Sequence, residues 1–292
     1  MKVSLVIVSK DEPALADTLD AVEELTRGLL DEVVVVDASQ RRLDRVRLAH
    51  PWVTWQDYEQ PNGVRVTIAH QRNIGVANSV GEVVVFTDSG CIPRADWLAR
   101  LLAPILEEDE YVTCGPADSQ GRSIYSGPKW WGQTTERYVS EAPTINLAFR
   151  REVFDAVGGF DESFAAGEDI DFTWRVNDAG YRLRWVADAV VEHEWGDARR
   201  QMRRSFAYGV GWARLLRKHP RRMRTALRNS PVAVVYPLFL LGSPLTVKYR
   251  AYPLLLLLPL WRARREEAPL LVVVDHLLLG AGVLAEVAGL SR

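Results

Sequence analysis

Five carboxylate side chains are concentrated in one short stretch of the sequence, among glycines and aromatic residues. The stretch reads VGGFDESFAAGEDIDFTWR over residues 157–175, and its acids are Asp161, Glu162, Glu168, Asp169 and Asp171. The last three fall in the first turn of a helix predicted to begin near Gly167, where the positive end of the helix dipole favours anions. Helix capping by acids is one interpretation of this pattern. The residues around these acids decide whether that interpretation is sufficient.

The same stretch carries its own signals of local structure. Gly158 and Gly159 predict a sharp turn, because glycine adopts backbone angles that other residues resist. Arg175 stands four residues after Asp171, a spacing at which opposite charges pair along a helix. The stretch is therefore predicted to be a tight turn followed by a short helix.

The motifs around these acids resemble the acceptor-side half of family 2 glycosyltransferases. The resemblance rests on residues 146–151 (NLAFRR), 157–162 (VGGFDE) and 167–171 (GEDID), with Trp-Arg at 174–175 and Gly-Tyr at 180–181. Members of that family are inverting enzymes of the GT-A fold that use nucleotide-sugars, and the second residue of their Glu-Asp pair is the general base. The resemblance implies that Asp169 is the catalytic base and that Glu168 lies beside it on the acceptor side.

Apolar runs in the first hundred residues predict the sheet that would position a donor. Runs at 3–8, 33–36 and 83–86 read as buried strands, and the order strand–helix–strand implies a parallel α/β sheet. Ligands of such sheets bind beyond the carboxyl ends of the strands. The polar residues at these ends are Ser9, Asp37 and Asp88.

The family resemblance implies roles for residues on this donor side. The acid after the second strand hydrogen-bonds the nucleobase in the family, which implies that role for Asp37. A carboxylate suits uracil, whose ring N–H is a donor. The segment QRNIGVANSVG resembles the family's arginine–asparagine–glycine helix, here predicted to end at Gly81. Arg72 is accordingly a candidate contact for the nucleotide or its diphosphate, and a surface arginine is the alternative.

Asp88-Ser89-Gly90 occupies the place of the family's Asp-x-Asp motif, which holds Mn²⁺ or Mg²⁺ against the sugar diphosphate. The chain departs from that motif at Gly90, where the last acid is missing, and this leaves the need for a metal open. A histidine after the last strand is often a metal ligand in the family, and His193 matches it by position. A lone histidine is otherwise structural or solvated. The resemblance thus implies a metal site at Asp88 and His193, completed by phosphate oxygens and water.

Two adjacent tryptophans, Trp130 and Trp131, form a separate candidate on the acceptor side. Aromatic rings of this kind stack on a sugar or a prenyl chain. The alternative is that one ring is buried and the other lies at a rim.

The charge distribution divides the chain into two parts. Residues 1–197 hold 19 Lys+Arg and 34 Asp+Glu, a net charge of −15, whereas residues 198–292 hold 17 and 4, a net charge of +13. Such an asymmetry predicts parts with different surroundings. We therefore expect a GT-A glycosyltransferase domain over 1–197 and a basic, apolar helical tail over 198–292, with Pro220 separating two helices.

The apolar runs of this tail, at 231–247, 251–261 and 269–290, are interrupted by proline, glycine or charged residues. None is a clean span of ~20 apolar residues. Such runs with flanking arginines favour interfacial or re-entrant helices at the cytoplasmic face of a membrane. The alternative is that these helices pack on each other or on a partner chain, as a soluble homo-oligomer. A nucleic-acid partner is disfavoured, because few aromatic residues interleave with the arginines.

Together these features predict an α/β protein of the GT-A type, with a Rossmann-like, mixed and mostly parallel sheet flanked by helices and an all-helical C-terminal tail. Two cysteines and a short N-terminal apolar run without a cleavage site predict a cytoplasmic protein. The predicted activity is inverting transfer from a nucleotide-diphosphate sugar, with UDP-sugars favoured, to a hydroxyl of a glycan or lipid-linked acceptor. A non-catalytic scaffold and a nucleotidyltransferase are the alternatives. The sugar, acceptor and linkage are not determined by the sequence.

Overall fold

The structure, a computed structural model, describes residues 1–60, 68–119, 137–194, 198–229, 231–265 and 268–290. These residues form two compact units. One contains the described residues up to Ser163 together with Glu168–Glu194, and the other contains Phe164–Gly167 and the described residues from 198 onward.

The first unit is an α/β unit with two sheets. Its strands are β1 (Val3–Ser9), β2 (Glu32–Asp37), β3 (Thr54–Asp57), β4 (Val83–Asp88), β5 (Cys91–Pro93), β6 (Val112–Cys114), β7 (Ala117–Ser119), β8 (Tyr138–Val139), β9 (Asn146–Arg150), β10 (Leu183–Trp185) and β11 (Val191–His193). Its helices are α1 (Leu15–Leu25), α2 (Asp44–Ala49), α3 (Ile68–Ala77), α4 (Trp97–Glu107), α5 (Arg151–Val157) and α6 (Glu168–Asp178).

The larger sheet has the strand order β3-β2-β1-β4-β9-β6-β10-β8, and β5-β11-β7 form a smaller sheet. In the larger sheet, β1 pairs with β2 and β4 in parallel, as do β2 with β3 and β6 with β10. The strand β9 is antiparallel to both of its neighbours, and β8 is antiparallel to β10. Runs of valine fill β2 and β4 because both faces of these central strands are buried. The predicted mixed, mostly parallel sheet is confirmed.

Strand register brings the polar ends of β1, β2 and β4 to one edge of the sheet. Ser9 is directly opposite Asp37, and Val8, its neighbour in the chain, is opposite Asp88. The carboxyl ends of parallel strands lie at the same edge, which is where α/β sheets bind ligands. The predicted donor-side residues are therefore neighbours in space.

One predicted boundary is wrong. The helix α3 ends at Ala77, four residues before Gly81. The backbone N–H of Gly81 donates a hydrogen bond to Ser4 Oγ at 2.7 Å, and a Cβ at this position would lie 2.6 Å from the Ser4 backbone nitrogen. Glycine is needed here for close approach of two backbones rather than for a helix C-cap.

The turn before α6 is held by side chains from two helices. Gly158 and Gly159 have φ angles of +76° and +71°, as the predicted turn requires. Asn73 of α3 donates to the Phe160 carbonyl and accepts from the Phe160 N–H, both at 2.9 Å. The Phe160 ring stacks on Phe172 of α6 with ring centroids 4.5 Å apart. These contacts fix the path of the chain toward the acids of α6.

The predicted pair between Arg175 and Asp171 is confirmed. Arg175 Nε lies 2.9 Å from Asp171 Oδ2, and Asp171 is completely buried. The same guanidinium donates to the carbonyls of Val157 and Gly159 at 2.6 and 2.7 Å. One arginine thus joins α6 to the glycine turn.

The second unit is helical in its described residues. Its elements are α7 (Ala198–Lys218), a 3₁₀ turn (Pro220–Arg222), α8 (Met223–Asn229), α9 (Val232–Leu241), two further 3₁₀ turns (Ser243–Val247 and Tyr252–Leu256), α10 (Leu257–Arg262) and α11 (Pro269–Val287). The predicted separation of two helices at Pro220 is confirmed. Among the described residues, α11 is the helix that is long and apolar enough to cross a membrane, a test that core helices also pass.

The apolar helix α11 packs closely beside the basic helix α7. A Cβ on Gly282 would overlap the carbonyl of Phe206, so the two backbones are in contact there. Asp275 of α11 accepts a hydrogen bond from Ser205 of α7. Glu286 of α11 forms ion pairs with Arg214 and Arg217 of α7 at 3.1 and 3.0 Å. The acids of α11 therefore face α7.

We expect Arg175→Met to lower the free energy of unfolding by about 3–5 kcal/mol, because it leaves the buried Asp171 carboxylate without its arginine. Urea denaturation measures this change. The double variant Arg175→Met/Asp171→Asn is the control and should recover part of the loss, since no buried charge remains. A single variant as stable as the wild type would show that the ion pair does not support the turn.

Candidate active site

The edge of the sheet presents buried polar groups. Ser9 is 3% exposed, and its Oγ has no hydrogen-bond partner among the described residues. Asp37 is 4% exposed and accepts a hydrogen bond from the Ser39 N–H at 2.9 Å. Leaving a buried hydroxyl unpaired is costly, and such a group marks a place where a ligand could supply the missing partner.

Arg72 connects the donor-side and acceptor-side residues. Its guanidinium forms an ion pair with Glu168 at the start of α6, and its second terminal nitrogen lies 3.5 Å from Asp88 Oδ1 at the end of β4. Arg72 is 3% exposed, so the alternative of a surface arginine is wrong. Burial opposes the charge of Arg72, but the carboxylates of Glu168, Asp88 and Asp169 outweigh it and raise the pKa of Arg72.

The five acids of residues 157–175 have different partners. Asp171 pairs with Arg175, Glu168 pairs with Arg72, and the remaining Asp161 and Glu162 accept hydrogen bonds from Ser163 and Asn73. Asp169 accepts a hydrogen bond from the backbone N–H of Ile170 at 2.8 Å and is partly exposed, whereas its neighbour Glu168 is buried. Asp169 is therefore the partly exposed acid in the first turn of α6, where Glu168 and Asp171 are buried.

The surroundings of Asp169 favour its protonated form. Burial and the like charge of Glu168 raise the pKa of Asp169 from its ordinary value of 3.8 to about 7, while the Arg72 charge acts in the opposite direction. A carboxylate with a pKa near neutrality exchanges its proton readily at neutral pH, which is what general acid–base chemistry needs.

His193 lies beside the turn that follows Asp88. In the small sheet His193 is directly opposite Cys91, and its Nδ1 is 3.5 Å from Cys91 Sγ. A Cβ built on Gly90 would lie 3.9 Å from His193 Cε1. The missing motif acid has a conformational reason, because Gly90 has a φ angle of +87°, which strains residues with a side chain.

Asp88 and His193 offer one carboxylate and one imidazole, and both are donor types that a divalent ion accepts. Within the described residues, no three side chains of His, Cys, Asp or Glu are grouped so as to hold a metal by themselves. One carboxylate and one imidazole leave positions for phosphate oxygens and water, which is how Mg²⁺ and Mn²⁺ are commonly held beside nucleotides.

Sequence reasoning gave no role to Asn73 beyond its place in the Arg-Asn pair. It clamps the backbone of Phe160 and donates to Glu162 at 2.8 Å. Its position directly after Arg72 was the available signal. Trp130 and Trp131, predicted to contact the acceptor, lie outside the described residues.

We expect Asp169→Asn to be more stable than the wild type at pH 8, with the difference disappearing near pH 4. The raised pKa means that the fold resists an ionisation that the unfolded chain undergoes, so the wild type loses stability as the pH rises from about 4 to about 7. Differential scanning calorimetry should show a Tm gain of about 3 °C or more at pH 8. An equal difference at both pH values would contradict the raised pKa.

The sequence is similar to those of known glycosyltransferases. The chain is 29% identical over 194 residues to the pre-mycofactocin glycosyltransferase of Mycobacterium tuberculosis, covering 61% of this chain and 41% of that protein. It is 26% identical over 147 residues to glycosyltransferase AglE of Haloferax volcanii, covering 48% of each. The chain thus spans less than half the length of these curated relatives.

Solved structures share the fold. The mannosyltransferase PcManGT of Pyrobaculum calidifontis, in complex with GDP-Man and Mn²⁺, superposes with a TM-score of 0.68 at 19% identity, covering 98% of this chain and 87% of that one. GalNAc-T7 with UDP, GalNAc and Mn²⁺ superposes with a TM-score of 0.56 at 20% identity, covering 68% and 44%. These likenesses establish a GT-A glycosyltransferase fold.

Two family models cover the chain between them. Glycosyl transferase family 2 matches residues 4–161, and glycosyl transferase family group 2 matches residues 129–284. Each match spans more than half of the chain, and the first contains the sheet edge with Ser9, Asp37 and Asp88. The protein therefore belongs to glycosyl transferase family 2.

Proposed function

We propose that this protein is an inverting glycosyltransferase that moves a sugar from a nucleotide-diphosphate donor to an acceptor hydroxyl, with residues 1–197 as its catalytic domain. The observation that carries the proposal is the position of Arg72, which contacts both Asp88 and Glu168 and so joins the donor and acceptor residues in one site. Family membership supports a transferase of the glycosyltransferase class.

Asp169 is the general base in this proposal. Its carboxylate accepts the proton of the acceptor hydroxyl as the hydroxyl oxygen attacks the anomeric carbon, and the bond from that carbon to the diphosphate breaks on the opposite face. A single carboxylate at the attacking hydroxyl is sufficient for direct inversion, whereas a retaining double displacement needs a second one as nucleophile. The pKa of Asp169, raised to about 7, suits a base that works near neutral pH.

The donor binds along the sheet edge. Asp37 accepts the ring N–H of uracil, which is why UDP-sugars are favoured, and the unpartnered Ser9 hydroxyl offers a further hydrogen bond to the nucleotide. Glu168, Trp130 and Trp131 belong to the acceptor side, where a glycan or a lipid-linked hydroxyl would bind. The GDP-Man and UDP complexes of the structural neighbours support a nucleotide-sugar donor.

Asp88 and His193 would hold Mn²⁺ or Mg²⁺ in this site. A bound ion of this kind neutralises charge on the leaving diphosphate. The Mn²⁺ in both neighbouring structures supports a divalent metal. Gly90 leaves the chain with one carboxylate at the motif, so the donor phosphates would contribute a large part of the coordination.

We expect Asp169→Asn to lower turnover by about 10²–10⁴-fold, because the amide cannot accept the proton. The assay measures sugar release from UDP-, GDP- and dTDP-sugars with Mn²⁺, with water or a glycan as acceptor. Nucleotide affinity, measured by calorimetry, should stay unchanged. The matched control is Asp161→Asn, the same chemical change in the preceding loop, which should keep wild-type turnover.

Other outcomes of this assay favour the alternative functions. Near-normal turnover in Asp169→Asn would remove the base assignment. Nucleotide incorporation without sugar release by the wild type would indicate a nucleotidyltransferase. Nucleotide binding with neither reaction would indicate a scaffold.

The tail 198–292 attaches the protein to the cytoplasmic face of a membrane in this proposal. Residues 198–265 contain 16 Lys+Arg and no Asp or Glu, which suits an anionic lipid surface. Large apolar side chains of the second unit are more than half exposed at Val235, Leu238, Leu241, Val247, Tyr249, Leu254, Leu255, Leu257, Leu258 and Trp261. An exposed apolar series within a basic segment is typical of interfacial binding.

The packing of α11 supports attachment at the surface rather than a membrane span. Seven Lys and Arg residues lie on α7, the helix that runs beside α11. Each would cost about 2.5–3.5 kcal/mol at the centre of a membrane helix. Since Asp275 and Glu286 bind α11 to α7, placing α11 across the bilayer would take α7 into the hydrocarbon.

We expect Leu255→Asp/Leu258→Asp to reduce binding to vesicles containing anionic lipid by about 10²-fold or more, from the lost burial of two leucines. Vesicle flotation measures the bound fraction. The matched control is Leu48→Asp/Val80→Asp, which changes two exposed apolar residues of the first unit and should float normally. Unchanged flotation of the tail variant, with a change from dimer to monomer in light scattering, would instead identify an oligomer interface.

A further inference from the structure

The two terminal nitrogens of Arg72 face carboxylates within the protein. One terminal nitrogen pairs with Glu168, the other lies 3.5 Å from Asp88, and the guanidinium carbon is 5.8 Å from the centre of the Phe160 ring. Arg72 and Glu168 are 3% and 5% exposed. A donor phosphate that took the Arg72 nitrogen bound to Glu168 would leave that buried carboxylate unpaired, which is strongly unfavourable. The Nε of Arg72 is buried and has no hydrogen-bond partner among the described residues.

Arg72 is also placed to control the start of α6. Glu168 is the first residue of this helix and Asp169 is the second, so a fixed Glu168 side chain fixes the turn that presents Asp169. The next residue of α3, Asn73, holds the Phe160 backbone in the loop before α6. Two consecutive residues of α3 therefore hold the chain on both sides of the acid cluster.

The charge of Arg72 has a second effect on Asp169. Glu168 and Asp169 are adjacent carboxylates, and like charges at this distance resist simultaneous ionisation. Arg72 on α3 and Asp88 at the end of β4 are the charged groups that face this pair from other elements. The charge of Glu168 raises the pKa of Asp169 and the charge of Arg72 lowers it, so the ion pair of Arg72 with Glu168 places two opposing charges beside Asp169.

We propose that Arg72 is a positioning residue that holds Glu168 and thereby fixes the place of Asp169, instead of contacting the donor phosphates. This inference rests on the proposed function, with Asp169 as the base. It reassigns Arg72, which the sequence associates with the nucleotide or its diphosphate, to the acceptor side of the reaction.

A double-mutant cycle tests the dependence of Arg72 on Glu168. Arg72→Met alone should lower kcat by about 10²-fold, as misplacement of a catalytic group does. Adding Arg72→Met to Glu168→Gln should lower kcat by a further factor of less than about three, because its partner is already removed. Full multiplication of the two single effects would overturn the proposal. Arg72→Met alone leaves Glu168 buried without its partner and could fail to fold. The double variant removes both charges of this pair, so its kcat can still be compared with that of Glu168→Gln.

Two further measurements separate positioning from phosphate binding. Calorimetry with UDP should give affinities within about threefold of each other for Glu168→Gln and the double variant, whereas the loss of a charged phosphate contact would cost about tenfold or more. Glu168→Gln should move the acid limb of the kcat/KM profile to lower pH, because Asp169 loses a like charge. An unmoved limb would contradict coupling of the two acids.

A structural readout keeps the inference distinguishable from the proposed function. If the wild type transfers no sugar from any donor, the proposed function fails. Hydrogen exchange at the Ile170 amide still tests whether Arg72 holds α6. If Arg72 does hold this helix, Arg72→Met should speed the exchange of that amide by about tenfold or more. The matched control Arg100→Met removes an arginine from exposed ion pairs and should leave that amide unchanged. Equal exchange in both variants would overturn the positioning role.

Discussion

The energetic cost of burying charge organises this site. Glu168 and Arg72 are both shut off from water, and neither is tolerable there without the other. Because Arg72 comes from α3 and Glu168 begins α6, their ion pair joins two elements that are distant in the chain. The approach of the same guanidinium to Asp88 extends the connection to the end of β4. The position of Asp169, the proposed base, follows from where this pair forms because Asp169 is the next residue of α6.

The sheet supplies the second constraint. Parallel pairing of β1 with β2 and β4 places Ser9, Asp37 and Asp88 along a single edge, because the carboxyl ends of parallel strands coincide. Fully buried valine-rich strands hold this edge rigidly. The antiparallel strand β9 continues the sheet from β4, and Arg151, directly after β9, begins α5 and leads into the glycine turn. The sheet therefore positions donor-side residues directly and acceptor-side residues through the segment that follows β9.

The second unit differs from the first in how its charged and apolar side chains are distributed. Its internal packing uses glycine for close helix contact and pairs the acids of α11 with α7, as with Glu286 and its two arginines. Large apolar side chains between α9 and α10, such as Val247, Leu254 and Leu255, remain more than half exposed. In this unit a paired acid, Glu286, is buried while large apolar side chains are exposed. A protein surrounded only by water usually shows the reverse distribution. The distribution in this unit is the physical basis for proposing a lipid surface as its partner.

The sequence alone determined the features that depend on near neighbours in the chain. Valine runs predicted buried strands, Gly158 and Gly159 predicted the turn, and the four-residue spacing of Asp171 and Arg175 predicted their pair. Each of these signals is carried by residues within one or two turns of each other, so periodicity and backbone preference are enough to detect them. The family motifs added the likeness to glycosyltransferases, which the matched family models confirm.

Only the tertiary structure decided which acids are engaged and which one is accessible. Arg72 and Glu168 are 96 residues apart, and no local pattern relates them. The helix α3 ends at Ala77, and the backbone at Gly81 lies close to Ser4 of β1, which is 77 residues away in the chain. The raised pKa of Asp169 likewise arises from burial and from the charges of Glu168 and Asp88, against the opposing charge of Arg72. Burial, desolvation and long-range pairing depend on which residues meet in the folded chain. The sequence determines these contacts, but no local pattern in it reveals them.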